Sequence, residues 1–157
     1  MVFFEQSVLP AISADSGKIL LEEPQRLMLA PNGNGALFDA VNRNPEVKAI
    51  LEEVDYVQLI GVDNVLNRLL DPLFIGFVAR HSLQAAMKCC VKRDAKECVG
   101  VIVKRRGDQG AKYNIVEYSE LSEADATAIV PETGELKFNL GNILVFILQS
   151  SKLLSLS

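Results

Sequence analysis

The chain has 157 residues, enough for one domain with a single core, since chains of this size bury roughly 70% of the surface they expose when unfolded. Hydrophobic residues make up 49% and charged residues 23%, the balance of a globular rather than a disordered chain. A net charge of -4 argues against a broad grip on nucleic acid, which takes a basic patch, and leaves room for a small anion held by local donors.

The opening Met1-Val2-Phe3-Phe4-Glu5-Gln6 has no basic region ahead of a long apolar stretch, so no signal peptide is read there. Pro31-Asn32-Gly33-Asn34-Gly35 then leads into a helical pattern over Gly35 to Val41, with Leu37, Ala40 and Val41 on one face. A second helix is expected over Pro45 to Val54, carried by Val47, Ile50, Leu51 and Val54. Tyr56 to Val62 reads as a buried strand that ends on Asp63-Asn64. Asp71-Pro72, a capping acid followed by proline at the first helical position, starts a helix that ends near Ser82.

Strands are expected over Ala85 to Val91, Val99 to Val103 and Tyr113 to Tyr118, with a hairpin turning through Gly107-Asp108-Gln109-Gly110. Ser122 caps a short helix reaching Ile129. The tail from Leu144 to Leu156 is apolar without a clear stop, and its run Ile143 to Leu148 is too short to span a bilayer, which takes about 20 helical residues. Alternating strands and helices predict an α/β architecture. Because Phe3-Phe4 opens apolar and the tail stays apolar, the chain is expected to be incomplete at both ends, with exposed strand edges that favour pairing or aggregation.

Candidate chemistry gathers at strand ends and at one glycine-rich loop. The Pro31 to Gly35 loop could turn free backbone N–H groups toward an anion or a polar ring, or it could be an ordinary Asn-Gly turn. Asp63, at the carboxyl end of a strand, is placed either to hold a magnesium ion against a phosphate or to cap a helix starting near Val65. Glu117 could accept hydrogen bonds from sugar hydroxyls or serve as a cap or solvated surface group. His81 lacks a nucleophile and an orienting acid at readable spacing, so it reads as a surface or helix-end histidine. Lys104-Arg105-Arg106 reads as a solvated hairpin tip, and Cys89, Cys90 and Cys98 as structural residues of a reducing, cytoplasmic setting.

Several blocks add a family resemblance. Phe3-Phe4-Glu5-Gln6 with Leu9-Pro10-Ala11, Gly17 to Glu22, Ala30 to Gly35, Val62-Asp63-Asn64-Val65-Leu66, Asp71 to Phe77, Val99-Gly100-Val101, Val116-Glu117-Tyr118-Ser119-Glu120 and Gly141-Asn142-Ile143 occur in the order and approximate spacing of eukaryotic-type UDP-N-acetylhexosamine pyrophosphorylases. The resemblance runs from Phe3 to Ile143. It implies a Rossmann-like nucleotidyltransferase domain with a mixed, mainly parallel sheet flanked by helices. Residues 1–143 would be its central part and residues 144–157 a divergent apolar tail.

The implied reaction joins UTP and N-acetylglucosamine 1-phosphate, with magnesium, to give UDP-N-acetylglucosamine and pyrophosphate. By the same resemblance Gln6 and Gly33 meet the uracil, Asn34 contacts the nucleotide sugar, and Asp63 lies by the phosphates and the metal. Gly100, Glu117, Tyr118 and Asn142 border the sugar. Neither nucleic acid nor membrane is an expected partner.

The chain also departs from the family pattern. A glycine-rich phosphate-binding loop before Phe3 and lysines further on are missing, Ala36 stands where a second glycine is common, and Leu144-Val145-Phe146-Ile147 replaces a polar pair. The expected consequence is a chain with little activity alone. Alternatives are a UDP-glucose or broad UDP-sugar pyrophosphorylase and a non-catalytic binding module or gene remnant.

Overall fold

The structure, a computed structural model, describes residues 1–107 and 110–156. They form two compact units, the first from Met1–Val57 with the C-terminal stretch from Gln149, the second from Gln58–Leu148. The turn residues Asp108 and Gln109 of the expected hairpin lie outside the described residues.

In the first unit, β1 (Val8–Pro10) pairs antiparallel with β4 (Leu29–Pro31), Val8 opposite Pro31. Between them β2 (Leu21–Glu23) and β3 (Arg26–Leu27) form a hairpin whose turn is Pro24-Gln25. Proline presets the first turn position, and Gln25 takes the positive φ of 75° that the second position of a type II turn requires. These short strands are exposed along their length, so backbone hydrogen bonds rather than burial define them.

α1 (Ala36–Arg43) and α2 (Pro45–Glu52) follow, close to the expected positions. Asn44 separates them because its side chain accepts hydrogen bonds from Glu46 N and Val47 N while Pro45 occupies the first helical position. The core of this unit gathers Ala36, Ala40, Val41 and Leu51, joined by Leu153 of α5 (Ser150–Ser155), which packs on α2.

The second unit holds all but the ends of a five-stranded sheet of β5 (Tyr56–Ile60), β6 (Ala85–Val91), β7 (Val101–Gly107), β8 (Gly110–Val116) and β9 (Leu140–Gln149). The stretch from Leu144, expected as an apolar tail, continues β9 as far as Gln149 and then forms α5. β6 runs antiparallel along β9, from Ala85 opposite Leu148 to Val91 opposite Leu140. β5 and β7 pair with the same strand, so they must share its other edge end to end. Gly61 N donates to Leu144 O and Ser150 N to Asp55 O, so β5 also runs antiparallel to β9.

The expected α/β class holds, but these strands are not joined by mainly parallel pairing. β5, α3 (Pro72–Arg80) and β6 make a strand–helix–strand passage whose strands point the same way, yet β9 lies between them and runs opposite. Phe74 and Val78 of α3 are buried in this unit's core with Val101, Val145 and Ile147. α4 (Glu123–Thr127) is capped by Ser122, whose hydroxyl accepts from Asp125 N, as expected. Among the described residues no helix is long and apolar enough to cross a membrane.

Candidate functional site

Of the expected site residues, Gln6, Gly33 and Asn34 belong to the first unit and Asp63, Gly100, Glu117, Tyr118 and Asn142 to the second. In the first unit, pairing of β1 with β4 continues one step further. Asn32 N donates to Ser7 O at 3.0 Å, and the Asn32 side-chain amide donates to Ser7 Oγ at 3.0 Å. Gln6 is thereby held beside the loop that opens α1, and both are exposed.

Gly33 has φ of 86°, a conformation that glycine adopts without a Cβ clash. Ala36 N, Leu37 N and Phe38 N bond back to Gly33 O, Asn34 O and Gly35 O, so the helix starts in a tight turn. No hydrogen bond from the N–H groups of Gly33, Asn34 or Gly35 occurs among the described residues. That leaves a short row of donors at a helix start, suited to the carbonyls of a polar ring or to an anion.

In the second unit, the point along β9 where β5 gives way to β7 gathers the remaining residues. Asn142 N donates to Gly100 O at 2.8 Å, just before β7 begins. The Asn142 side-chain oxygen accepts from Leu144 N at 3.0 Å, which leaves the NH2 group as the donor end of this amide. Leu144 O in turn receives Gly61 N at 3.1 Å, two residues before Asp63. Leu144 sits at φ of 54°, and β9 skips register opposite Lys88 and Cys89, so the strand bulges at Ile143-Leu144.

Glycine is needed here for close approach. A Cβ on Gly100 would lie 3.2 Å from both carboxylate oxygens of Glu117 and 3.1 Å from Ile115 Cγ2. One on Gly61 would meet Asp63 Oδ1 at 2.6 Å, and one on Gly141 would meet Cys90 Sγ at 2.9 Å. Gly100 is buried, Asn142 half-buried and Glu117 exposed, giving a carboxylate acceptor and an amide donor around a bare stretch of backbone. Tyr118, half exposed, follows Glu117 in a turn closed by Glu120 N on Glu117 O at 2.9 Å.

The alternatives raised by pattern resolve in part. No α-helix starts near Val65, and it is the Asn64 side chain, accepting from Leu66 N, that orders this turn. The Asp63 carboxylate makes no hydrogen bond or ion pair among the described residues. His81 ends α3, its ring 4.7 Å from Phe77, as a helix-end histidine. Lys104, Arg105 and Arg106 are exposed on β7, with Lys104 Nζ 5.8 Å from the Tyr113 ring centre.

Sequence reasoning passed over two supporting residues. Glu97 receives Asp94 N at 2.9 Å and Arg93 N at 2.8 Å, which hold its carboxyl below the usual range and close the loop leading to Gly100. Its signal was weak, an acid within a mixed-charge loop. Gly61 looked like an ordinary strand residue, and only its contact with Asp63 and Leu144 gives it a role.

An α/β unit with a carboxylate and an amide beside a bare stretch of backbone, at a break in its sheet edge, is the general class so defined. More narrowly, residues 1–155 match the family of UTP-glucose-1-phosphate uridylyltransferase, and the chain belongs to that family. It is 38% identical over 144 residues to UDP-N-acetylglucosamine diphosphorylase 2 of Arabidopsis thaliana, covering 91% of this chain and 28% of that one. It is 37% identical over 148 residues to the UDP-N-acetylglucosamine pyrophosphorylase of Saccharomyces cerevisiae, covering 91% of this chain and 29% of the relative. The chain thus spans less than a third of the length of these relatives. It also superposes on a crystal structure of the uridine diphosphate N-acetylglucosamine pyrophosphorylase from Trypanosoma brucei in complex with inhibitor. That match has a TM-score of 0.76 and 34% identity, over 94% of this chain and 29% of the other.

Proposed function

We propose that this chain supplies the nucleoside- and sugar-recognition part of a uridylyltransferase that joins UTP and N-acetylglucosamine 1-phosphate and releases pyrophosphate. The observation that carries the proposal is the clustering of Gly100, Glu117 and Asn142, with a carboxylate and an amide facing a backbone stretch without a side chain. Glu117 accepts hydrogens from vicinal hydroxyls, and the Asn142 NH2 donates to a hydroxyl or acetamido oxygen. Gln6, Gly33 and Asn34 read the uracil and ribose side through backbone and amide groups.

Asp63 fits magnesium, which is held by one or two carboxylates together with substrate phosphates rather than by an all-protein cage. Bound there, the ion would supply charge neutralisation at the phosphates. Asp63 itself orients the phosphate end relative to the sugar held by Glu117. In-line phosphoryl transfer depends on cations at the phosphates, and none of the residues that this reading assigns to the ligand is a lysine or arginine. Alone, therefore, this chain binds nucleotide sugar and turns over slowly. Its free cysteines, Cys89, Cys90 and Cys98, suit a reducing cytoplasmic setting.

Calorimetry with UDP-N-acetylglucosamine and with UDP-glucose tests the reading. Binding of the acetamido sugar, weakened about tenfold or more by Glu117→Ala, supports it. A folded chain that binds neither sugar overturns it, and preference for UDP-glucose reassigns the sugar.

A further inference from the structure

Where β6 ends, the second unit forms a cavity of about 410 Å³. Its apolar walls are Val91, the last residue of β6, with Ile129 and Leu136, which face each other across an antiparallel bridge. Lys92, Arg93, Glu135 and Asn139 bring its polar groups. None of these residues belongs to the nucleotide and sugar set.

Lys92 is 3% exposed, and a lysine is almost never buried to that extent without a partner. Its backbone N–H donates to Asn139 O at 2.7 Å, which fixes the residue beside the start of β9. Its ammonium makes no hydrogen bond or ion pair among the described residues. Glu97, held below the usual range first by Asp94 N and Arg93 N, feels the Lys92 charge only through space. Among the described residues the only buried side-chain polar atom both sealed from solvent and unpartnered is Ser150 Oγ. The Lys92 ammonium, equally unpartnered, therefore keeps an opening, and the cavity that the residue lines supplies it.

An ammonium withdrawn from water without a counter-charge is costly, so the cavity has to hold what compensates it. Arg93 lines the same cavity with an exposed side chain that forms no ion pair among the described residues. The one carboxylate on the wall, Glu135, accepts from the Asn139 amide at 3.3 Å. Two cations against one acid leave the cavity positive, and a guanidinium fork matches the oxygens of a tetrahedral oxyanion.

We infer that this cavity binds a phosphate-class anion, inorganic phosphate or pyrophosphate, held by Lys92 and Arg93. Calorimetry and thermal melting of the full chain with each sodium salt, against sodium chloride of equal ionic strength, test it. The anion should bind with a Kd of about 1 mM or tighter and raise the melting temperature. Tighter binding of pyrophosphate identifies the longer anion as the occupant, and tighter binding of phosphate the shorter. Lys92→Met fills similar space without charge, so it should abolish this binding and leave the anion-free chain at least as stable. Should that variant lose its native circular dichroism, Arg93→Gln on an exposed side chain decides, with an expected weakening of about tenfold. Glu117→Ala should leave the anion bound as before, which separates this cavity from the sugar site. An effect no larger than that of chloride, binding that survives both Lys92→Met and Arg93→Gln, or binding lost in Glu117→Ala would each overturn the proposal.

Discussion

Asn142 N donates to Gly100 O at 2.8 Å, and that bond fastens β9 to the residue from which β7 departs. The same glycine lies under the Glu117 carboxylate. Two chain segments far apart in sequence are thus brought to one spot by a backbone contact that admits no side chain.

Gly100→Ala should separate recognition from folding. The new methyl would stand 3.1 Å from Ile115 Cγ2 and 3.2 Å from the Glu117 oxygens. The carboxylate ends a flexible side chain and swings aside, whereas Ile115 belongs to β8 and yields less. Thermal melting should show a loss of about 1–3 kcal/mol, typical of overpacking. Calorimetry should show a larger proportional loss of UDP-N-acetylglucosamine affinity than that modest destabilisation suggests.

The Asp71–Lys88 pair makes stability depend on acid. Lys88 Nζ lies 2.5 Å from Asp71 Oδ2, and this bond, with further help from Leu73 N, holds the Asp71 carboxyl below the usual range. An acid whose folded pKa is lower than its unfolded one stabilises above the unfolded value, about 3.9. That contribution fades as pH falls through the folded value. Asp71→Asn should lower the melting temperature at pH 7 and flatten its decline in acid, and a variant with the wild-type acid profile would contradict this account.

Core truncation should be costly on the buried face of β9, which carries Val145 and Ile147. Ile147 is 1% exposed, and Ile147→Ala is expected to cost about 2–5 kcal/mol in denaturant titration. Ile50 on α2 is 48% exposed, so Ile50→Ala should cost much less.

Asn44 ends α1 and caps α2 in one residue. Asn44→Ala removes the acceptor for Glu46 N and Val47 N and should cost about 1 kcal/mol, read as a lower urea midpoint. Asn44→Asp, which keeps an acceptor at a helix start, should recover most of it.

Much of the fold was legible because local chemistry decided it. Asp71-Pro72 and Ser122 cap the helices they were expected to cap, and Ala85–Val91 is a strand at the expected residues. β9 was not legible. Val145 and Ile147 are buried and Phe146 and Leu148 half-buried, so no polar alternation marks it as a strand. The small strands β1 to β4 escaped notice for the opposite reason, since they bury no side chain and only long-range backbone pairing defines them. For the site, strand-end position alone singled out Asp63 and Glu117, while Gly100 and Asn142 came from resemblance. A hydrogen bond between distant residues leaves no periodic trace in a sequence.

β9 is the one strand that pairs with β5, β6 and β7 among the described residues, and it comes last of the five in the chain. A ribosome that has released residues up to Asn139 has therefore made β5, β6, β7 and β8 but not the strand that joins them. Until Leu140 to Gln149 emerges, only the β7–β8 hairpin can close by local contact, and β5 and β6 wait with their edges open. Assembly of this sheet thus waits on the emergence of β9, and holding the waiting strands apart until then becomes a task for the cell's folding machinery.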